Sequence, residues 1–179
     1  KEVGVKWRGS WGSFGISRYN SYSKLGSTYG VDPVTLDFVL NRRPIRIKGW
    51  DMTAEVRPIS QLRFNAVYSS LEGFTSPANF QNRPLNVQLG IVNIAPDKLN
   101  LSATWTPTDA VSLSFGMDKT FDRTVRTGQT VTERTTGRTL FDLTAKYKMK
   151  DVGTVSLGVE NLFNKYYFLA FSQIDFFQN

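Results

Sequence analysis

The sequence predicts an all-β fold, specifically an antiparallel transmembrane β-barrel. Three observations lead to this prediction. Apolar and polar residues alternate along about eight segments, short turns and long links alternate between those segments, and aromatic residues collect near the segment ends. Alternation with a period of two places neighbouring side chains on opposite faces of a strand. No stretch approaches the roughly 18 consecutive apolar residues of a membrane helix, but a β-barrel crosses a membrane without one.

The strands can be followed one after another along the chain. In the clearest of them, Val111, Leu113 and Phe115 alternate with serines and a glycine. The second strand is weaker, because Arg18 interrupts its apolar positions, and a β-bulge is expected near that residue. The predicted strands are 2–8, 13–22, 50–56, 61–69, 99–106, 110–117, 141–149 and 154–160.

The connections between these strands alternate in length. Glycine, proline and aspartate mark the short turns, because these residues supply the backbone angles that a turn requires. Strand, tight turn, strand and long loop form a repeated unit, which is typical of outer-membrane barrels with short periplasmic turns and long extracellular loops. The short turns are at 9–12, 57–60, 106–109 and 150–153, and the long links are at about 23–44, 72–96 and 121–137.

Aromatic residues near the strand ends suit the girdles that such barrels place at the two membrane interfaces. Soluble β-sandwiches and barrels also contain alternating strands. The polar face favours the membrane barrel, because its serine, threonine, asparagine, glycine and paired charges fit a water-filled lumen. The aromatic residues in these positions are Trp7, Trp11, Trp50, Tyr68, Trp105, Tyr147, Tyr166 and Tyr167.

The composition argues against an enzyme. The 179 residues include no cysteine and no histidine, which removes thiolate nucleophiles, Ser-His-Asp triads and metal sites built on either residue. No glycine-rich phosphate-binding motif is present, and a net charge of +7 is too small for this length to indicate a nucleic-acid partner. We therefore predict no catalytic residue, no metal site, no covalently bound cofactor and no nucleic-acid binding.

The segment 159–167, VENLFNKYY, resembles a stretch near the carboxyl end of TonB-dependent outer-membrane receptors of the siderophore-receptor type. Weaker similarities to the same family lie at 137–149, 93–105 and 47–58, and Asp51 in the last of these fits the family pattern only in part. The resemblance implies that the chain, 1–179, is the C-terminal portion of a 22-strand barrel, with the plug domain and the terminal strand outside it. A structural, chain-turning role is expected for the motif residues Asn161, Leu162, Phe163, Asn164, Lys165 and Tyr167.

The resemblance also implies a function, the uptake of a ferric siderophore through the bacterial outer membrane. Loops and plug would capture the iron complex, and the TonB–ExbB–ExbD system would act through the plug, with outer-membrane lipid and lipopolysaccharide around the barrel. Arginines in the long links would attract an anionic complex, and phenylalanines would line an apolar part of the pocket. The candidate ligand-binding residues are Arg42, Arg43, Phe74, Phe80, Phe121, Arg123, Arg126, Arg134 and Arg138.

Two other functions remain open at this stage. The chain could be a complete small eight-stranded barrel with a structural or adhesive role, although Asn179 is not the terminal aromatic residue usual in such barrels. It could also be an outer-membrane enzyme that acts on lipid, although histidine and a recognisable serine motif are absent.

Overall fold

The computed structural model describes residues 1–32, 34–35, 37–77, 84–127 and 130–173. Within these ranges the chain forms eleven β-strands and one short 3₁₀ turn. No helix in the described ranges is long and apolar enough to span a membrane. The strands are β1 Glu2–Arg8, β2 Gly12–Val31, β3 Phe38–Ile59, β4 Leu62–Thr75, β5 Val87–Gln88, β6 Lys98–Thr108, β7 Val111–Thr120, β8 Arg123–Thr127, β9 Thr130–Thr135, β10 Arg138–Met149 and β11 Gly153–Val159, and the 3₁₀ turn is Phe171–Gln173.

Eight of the strands form an antiparallel meander in the order β1-β2-β3-β4-β6-β7-β10-β11. The short strand β5 adds to the edge of β4, and β8 and β9 form a separate hairpin. In the described part of the chain β1 and β11 are the outer strands, and the sheet does not close on itself. The predicted all-β antiparallel architecture is confirmed.

Tight turns join the strands at one end of the sheet, which we call the turn end. They lie between β1 and β2, β3 and β4, β6 and β7, and β10 and β11. The first and last are at the predicted positions, whereas β3 runs to Ile59 and β6 to Thr108, so the second and third turns lie slightly later than the predicted 57–60 and 106–109. In the last of them Asp151 has a φ of 59° and Gly153 a φ of 148°. Glycine and aspartate tolerate positive φ better than other residues, so the sequence of this turn suits its geometry. The long links leave the opposite end, which we call the loop end.

The two faces of the sheet differ in chemistry, as the alternation predicts. Ala54 pairs with Ala66, and Ala66 pairs with Leu101, which places apolar side chains side by side on one face. On the other face Asn65 pairs with Ser102 and donates from Nδ2 to its Oγ at 3.2 Å. We call these surfaces the apolar face and the polar face. Many large side chains of the apolar face are exposed, as expected for a surface that contacts lipid.

The first long link is a β-ribbon and not a loop. β2 and β3 continue to pair as far as Val31 and Phe38. With 20 and 22 residues, these strands are about twice as long as the nine to eleven residues that cross a membrane. The expectation of a loop over 23–44 is therefore wrong, and Arg42 and Arg43 are strand residues of the ribbon.

The expected bulge near Arg18 is also wrong. Arg18 stays in register on the apolar face, where its guanidinium lies 5.1 Å from the ring centroid of Trp50. This cation–π contact gives the charge a partner without a change of register. The register shift lies instead between Ser23 and Gly26.

The other two long links also carry structure. β5 pairs with β4 at Thr75, and β6 resumes pairing with β4 at Ser69. Between these points residues 89–97, which we call the inserted segment, leave the sheet. Most of the third link is the β8–β9 hairpin. The inserted segment and this hairpin together are called the loop cluster below.

Candidate ligand-facing site at the loop end

The inserted segment packs against the polar face. Leu89 and Ile94 are 5% and 3% exposed and form an apolar cluster with Ile45 of β3. Gly73 of β4 permits this approach, because a Cβ at that position would lie 2.6 Å from Ile94 Cγ1 and 2.7 Å from Leu89 Cδ1. The loop end of the polar face is therefore covered by well-packed chain.

A side-chain clamp ties the inserted segment to the ribbon. The Tyr29 N–H donates to Asn93 Oδ1 at 2.9 Å, and Asn93 Nδ2 donates to the Tyr29 carbonyl at 3.1 Å. The asparagine amide thus pairs with the edge of β2 as a further strand would. The ribbon and the inserted segment are held together by this pair of bonds.

The β8–β9 hairpin lies on the inserted segment with one face buried. Val125 and Thr135 are each 2% exposed. Glu133 Oε2 accepts a hydrogen bond from the Ile91 N–H at 2.7 Å. Gly90 leaves room for this carboxylate, since a Cβ there would overlap the Glu133 oxygens. The hairpin and the inserted segment therefore form one packed unit.

Arg123 joins this unit to the sheet. Its side chain is buried, and Nη1 donates to the Leu71 carbonyl at 3.0 Å. Leu71 lies in the gap between β5 and β6 along β4, where its N–H donates to Asp97 Oδ1 at 3.4 Å. Burial lowers the pKa of Arg123, and the carboxylates of Asp97, Glu133 and Glu72 oppose that shift. Because an arginine keeps its proton in proteins, Arg123 is a buried cation that holds the loop cluster to β4.

The other face of the hairpin carries arginines that solvent reaches. Arg126 and Arg134 are exposed. Arg138, at the start of β10, is partly buried, with its guanidinium 4.5 Å from the Tyr167 ring centroid and Nη2 3.8 Å from Asp118 Oδ1. Of the arginines predicted in the third link, a solute at the loop end therefore meets Arg126 and Arg134 first.

The structure does not place the predicted phenylalanines beside these arginines. Phe74 and Phe121 lie on the apolar face, where Lys48 and Lys119 stack over their rings. Phe80 lies outside the described residues. The described phenylalanines therefore do not support the prediction of an apolar lining in the ligand pocket.

Three side chains that hold the loop cluster together were missed from the sequence: Asn93, Asp97 and Glu133. Each is a single polar residue in a link that bonds to a backbone group 26 to 64 positions away, and Asp97 also accepts hydrogen bonds from the Tyr68 and Ser70 hydroxyls. Only Asp97 carried a signal, since it follows Pro96 directly before a strand, and aspartate in such places often bonds to nearby backbone. Among the described residues, no three His, Cys, Asp or Glu side chains are grouped to hold a metal ion.

The motif after β11 turns the chain. Asn161 and Asn164 have φ of 50° and 48°, a conformation that asparagine adopts more readily than most residues. Asn161 Nδ2 donates to the Lys165 carbonyl at 3.0 Å, and its Oδ1 accepts the Lys165 N–H at 2.9 Å. The Asn161 N–H donates to Asp142 Oδ1 at 2.8 Å, so the turn is anchored to β10.

Replacing Asn161 by alanine is expected to loosen this turn by about 1–2 kcal/mol, because alanine loses both side-chain bonds and pays for the positive φ. Hydrogen exchange of residues 161–168 in the full-length protein measures the effect. Asn161→Gly keeps the φ and loses only the bonds, so its exchange should be intermediate. Unchanged exchange in Asn161→Ala would contradict the turn-forming role.

Comparisons with known proteins cover nearly the whole sheet. The family model described as "TonB dependent receptor-like, beta-barrel" matches residues 1–162. Among solved structures, the copper transporter OprC aligns with a TM-score of 0.77 at 16% identity, over 94% of this chain and 26% of that one. The siderophore receptor PiuA from Acinetobacter baumannii aligns with a TM-score of 0.61 at 15% identity, over 92% and 24%. The search of curated proteins found no match.

The chain spans about a quarter of each of these two structures. At this low identity the similarity to the solved structures shows only the fold. The family model matches most of the chain and therefore shows the family. Members of the family are outer-membrane receptors and transporters, and in such a barrel the apolar face contacts lipid and the polar face lines the lumen. The chain belongs to the TonB-dependent receptor family and forms part of its β-barrel.

Proposed function

We propose that the protein containing this chain takes up an iron–siderophore complex across the outer membrane in a TonB-dependent manner. The observation that carries the proposal is the exposure of Arg126 and Arg134 on the hairpin that covers the polar face. Family membership supports the transport class, and the fold similarity to the siderophore receptor PiuA supports the substrate class. The copper transporter OprC is also similar in fold, so experiment has to separate the two substrates.

Arginine suits an anionic iron complex. Its guanidinium binds two oxygens of a carboxylate in parallel and stays charged at physiological pH. Two exposed arginines on one hairpin also raise the local concentration of an anionic solute through their field. The captured complex would lie over the loop cluster, at the entrance to the lumen.

Transport requires that the loop cluster and the lumen open in turn. The polar face offers serine, threonine, asparagine and glycine along the way, which suits a hydrated path. We propose that the TonB–ExbB–ExbD system supplies the energy through a plug domain outside this chain. Lipopolysaccharide and other outer-membrane lipids are the proposed neighbours of the apolar face.

The proposal is tested by ligand binding to the full-length receptor with Arg126→Gln and Arg134→Gln combined. Binding of ferric siderophores of different charge, followed by quenching of tryptophan fluorescence, should weaken about five- to tenfold for an anionic complex at low salt, the range for two exposed charge contacts. The loss should shrink as salt is added, because exposed charges are screened. A cationic ferric complex should not lose affinity.

Lys148→Gln combined with Lys150→Gln is the matched control, because it removes the same charge at the turn end. Equal losses in both variants would show a general field effect and contradict a site on the hairpin. Binding of copper(II) alone, with no response to any ferric siderophore, would overturn the substrate class. The same receptor should also fail to support growth on the ferric siderophore in cells that lack TonB.

A further inference from the structure

The charged residues of the polar face are sorted by their distance from the turn end. On the described strands of the meander, every charged polar-face residue within four positions of a tight turn is basic. Those seven to nine positions from a turn are acidic. We call these two groups the basic rim and the acidic level. The basic rim is Lys6, Arg8, Arg57, Arg63, Lys146 and Lys148, and the acidic level is Glu2, Asp51, Asp118 and Asp142.

The register fixes both groups on the side of the sheet that lines the lumen. Arg8 pairs with Ser13 of β2, and Ser13 pairs with Glu55 of β3. Glu55 pairs in turn with Asn65, which lies on the polar face. Residues two positions apart on a strand share a face, as Lys6 does with Arg8. At about 3.3 Å per residue and a tilt of about 40°, the acidic level lies roughly 20 Å from the turns and the basic rim within about 10 Å of them.

Part of the basic rim surrounds a polar pocket, which we call the rim pocket. It lies where β1, β2 and β3 approach the turn end, and its volume of about 400 Å³ is within the range of small-molecule sites. Lys6 lines a neighbouring groove that shares two residues with this pocket. The side chains that line the rim pocket are Arg8, Ser10, Ser13, Glu55 and Arg57.

The rim pocket carries an excess of positive charge. Arg57 Nη2 lies 2.7 Å from Glu55 Oε1, and the Arg57 side chain is still 49% exposed. Arg8 is exposed and takes part in neither ion pair of the described residues. Guanidinium groups and serine hydroxyls around a small polar cavity supply the donors that carboxylate and catecholate oxygens accept. The pocket therefore suits a small anion.

We propose that the rim pocket is an exit site, which binds the anionic iron complex after it has crossed the lumen and before it is released into the periplasm. The inference rests on the function proposed above. The acidic level repels an anion that passes it, and the basic rim attracts the same anion at the next position along the path. The rim pocket thus offsets the unfavourable field of the acidic level.

The test follows occupancy of the pocket in the full-length receptor through the variant Ser10→Cys. This chain has no cysteine of its own, so the variant places a single thiol reporter in the pocket once any cysteine elsewhere in the receptor is replaced. Maleimide labelling is measured in detergent, where both ends of the barrel are accessible. An anionic ferric tris-catecholate complex should slow the labelling, and a cationic ferric tris-hydroxamate complex should not.

Arg8→Gln combined with Arg57→Gln should raise the concentration of complex needed for protection about five- to tenfold, the range for two exposed charge contacts. Lys146→Gln combined with Lys148→Gln is the matched control, because it removes the same charge near the turn end but outside the pocket, and it should protect like the parent. Glu55→Gln frees Arg57 and removes the anion of the pocket, so it should lower that concentration about two- to threefold. A folding defect would not produce such a gain.

Uptake into cells ties the pocket to transport. The variant with Arg8→Gln and Arg57→Gln should take up the anionic complex more slowly at saturation, with an unchanged half-saturating concentration, because capture at the loop end is intact. A maximal rate equal to that of the parent would show that the pocket is not on the transport path.

The outcomes separate the exit site from the uptake proposal. Protection should persist when Arg126→Gln and Arg134→Gln are combined, since the loop-end arginines are distant from the pocket. No protection in the parent, an equal loss in the lysine control, or weaker protection in Glu55→Gln would each overturn the exit site and leave the uptake proposal in place. A receptor whose tryptophan fluorescence responds to no ferric complex would overturn the uptake proposal instead.

Discussion

Replacing Arg123 by alanine is expected to release the loop cluster from the barrel wall at a cost of about 2–4 kcal/mol. The change leaves the Leu71 carbonyl without its donor at 3.0 Å and removes the cation that faces Asp97, Glu133 and Glu72. A buried acceptor without a partner, together with uncompensated nearby charge, is among the costly defects of a folded protein. Hydrogen exchange of 84–97 and 123–135 in the full-length receptor should rise, while exchange in the strands of the meander stays slow.

Thr124→Ala on the exposed face of the same strand is the control and should leave this exchange unchanged. Arg123→Lys keeps the charge but not the planar guanidinium, so hydrogen exchange in this variant should be faster than in wild type and slower than in Arg123→Ala. Protection of both segments in Arg123→Ala equal to that of wild type would show that the apolar cluster alone holds the inserted segment in place.

Replacing Gly137 by alanine is expected to destabilise the protein. Among the described glycines outside the membrane-spanning part of the sheet, it is the one where an added methyl group should cost most. A Cβ there would overlap the Thr120 carbonyl oxygen and lie 2.7 Å from the Phe121 carbonyl carbon and 2.8 Å from the Asp122 nitrogen. All three neighbours are backbone atoms, so no rotamer change relieves the overlap. Overpacking of this kind costs about 1–3 kcal/mol, and the strand that leaves the hairpin would have to shift.

The Gly137 N–H also donates to Asp122 Oδ1 at 2.6 Å. This bond joins the residue before β8 to the residues after β9, where the two strands of the hairpin meet the sheet. We expect faster exchange across β8 and β9 and a lower thermal transition of the full-length receptor. Gly158→Ala is the matched control, because its Cβ would meet Thr144 Oγ1 at an ordinary 3.6 Å. A Gly137→Ala protein as stable as Gly158→Ala would show that the backbone of 120–122 can shift to accommodate the added methyl group.

The meander could be predicted from the sequence because each of its strands has lipid on one face and the water-filled lumen on the other. One side must be apolar and the other polar, so segments such as 99–106 and 141–149 alternate strictly. The tight turns could be predicted because glycine, proline and aspartate are required by their backbone angles. The motif at 161–165 could be placed for a similar reason, since its asparagines suit positive φ.

The long links could not be predicted in the same way. Among the described side chains of 24–31 only Thr28 is buried, so this part of the ribbon shows no apolar alternation and reads as a polar loop although it is strand. The inserted segment is held by only a few buried side chains, chiefly Leu89 and Ile94, which give no periodic signal. Arg123 and Arg126 look alike in the sequence, and only the pairing of β8 with β9 puts one in the interior and the other at the surface.

The position of Arg42 and Arg43 on the ribbon also affects the tendency of this hairpin to aggregate. Beyond Gly26 and Arg43, no third strand among the described residues pairs with either side of β2 and β3, although Asn93 covers one position. Unpaired strand edges are templates for aggregation, and charged side chains are a common protection against it. Lys24 with the two arginines therefore protects a long exposed hairpin from self-association, which matters most before the barrel reaches the membrane.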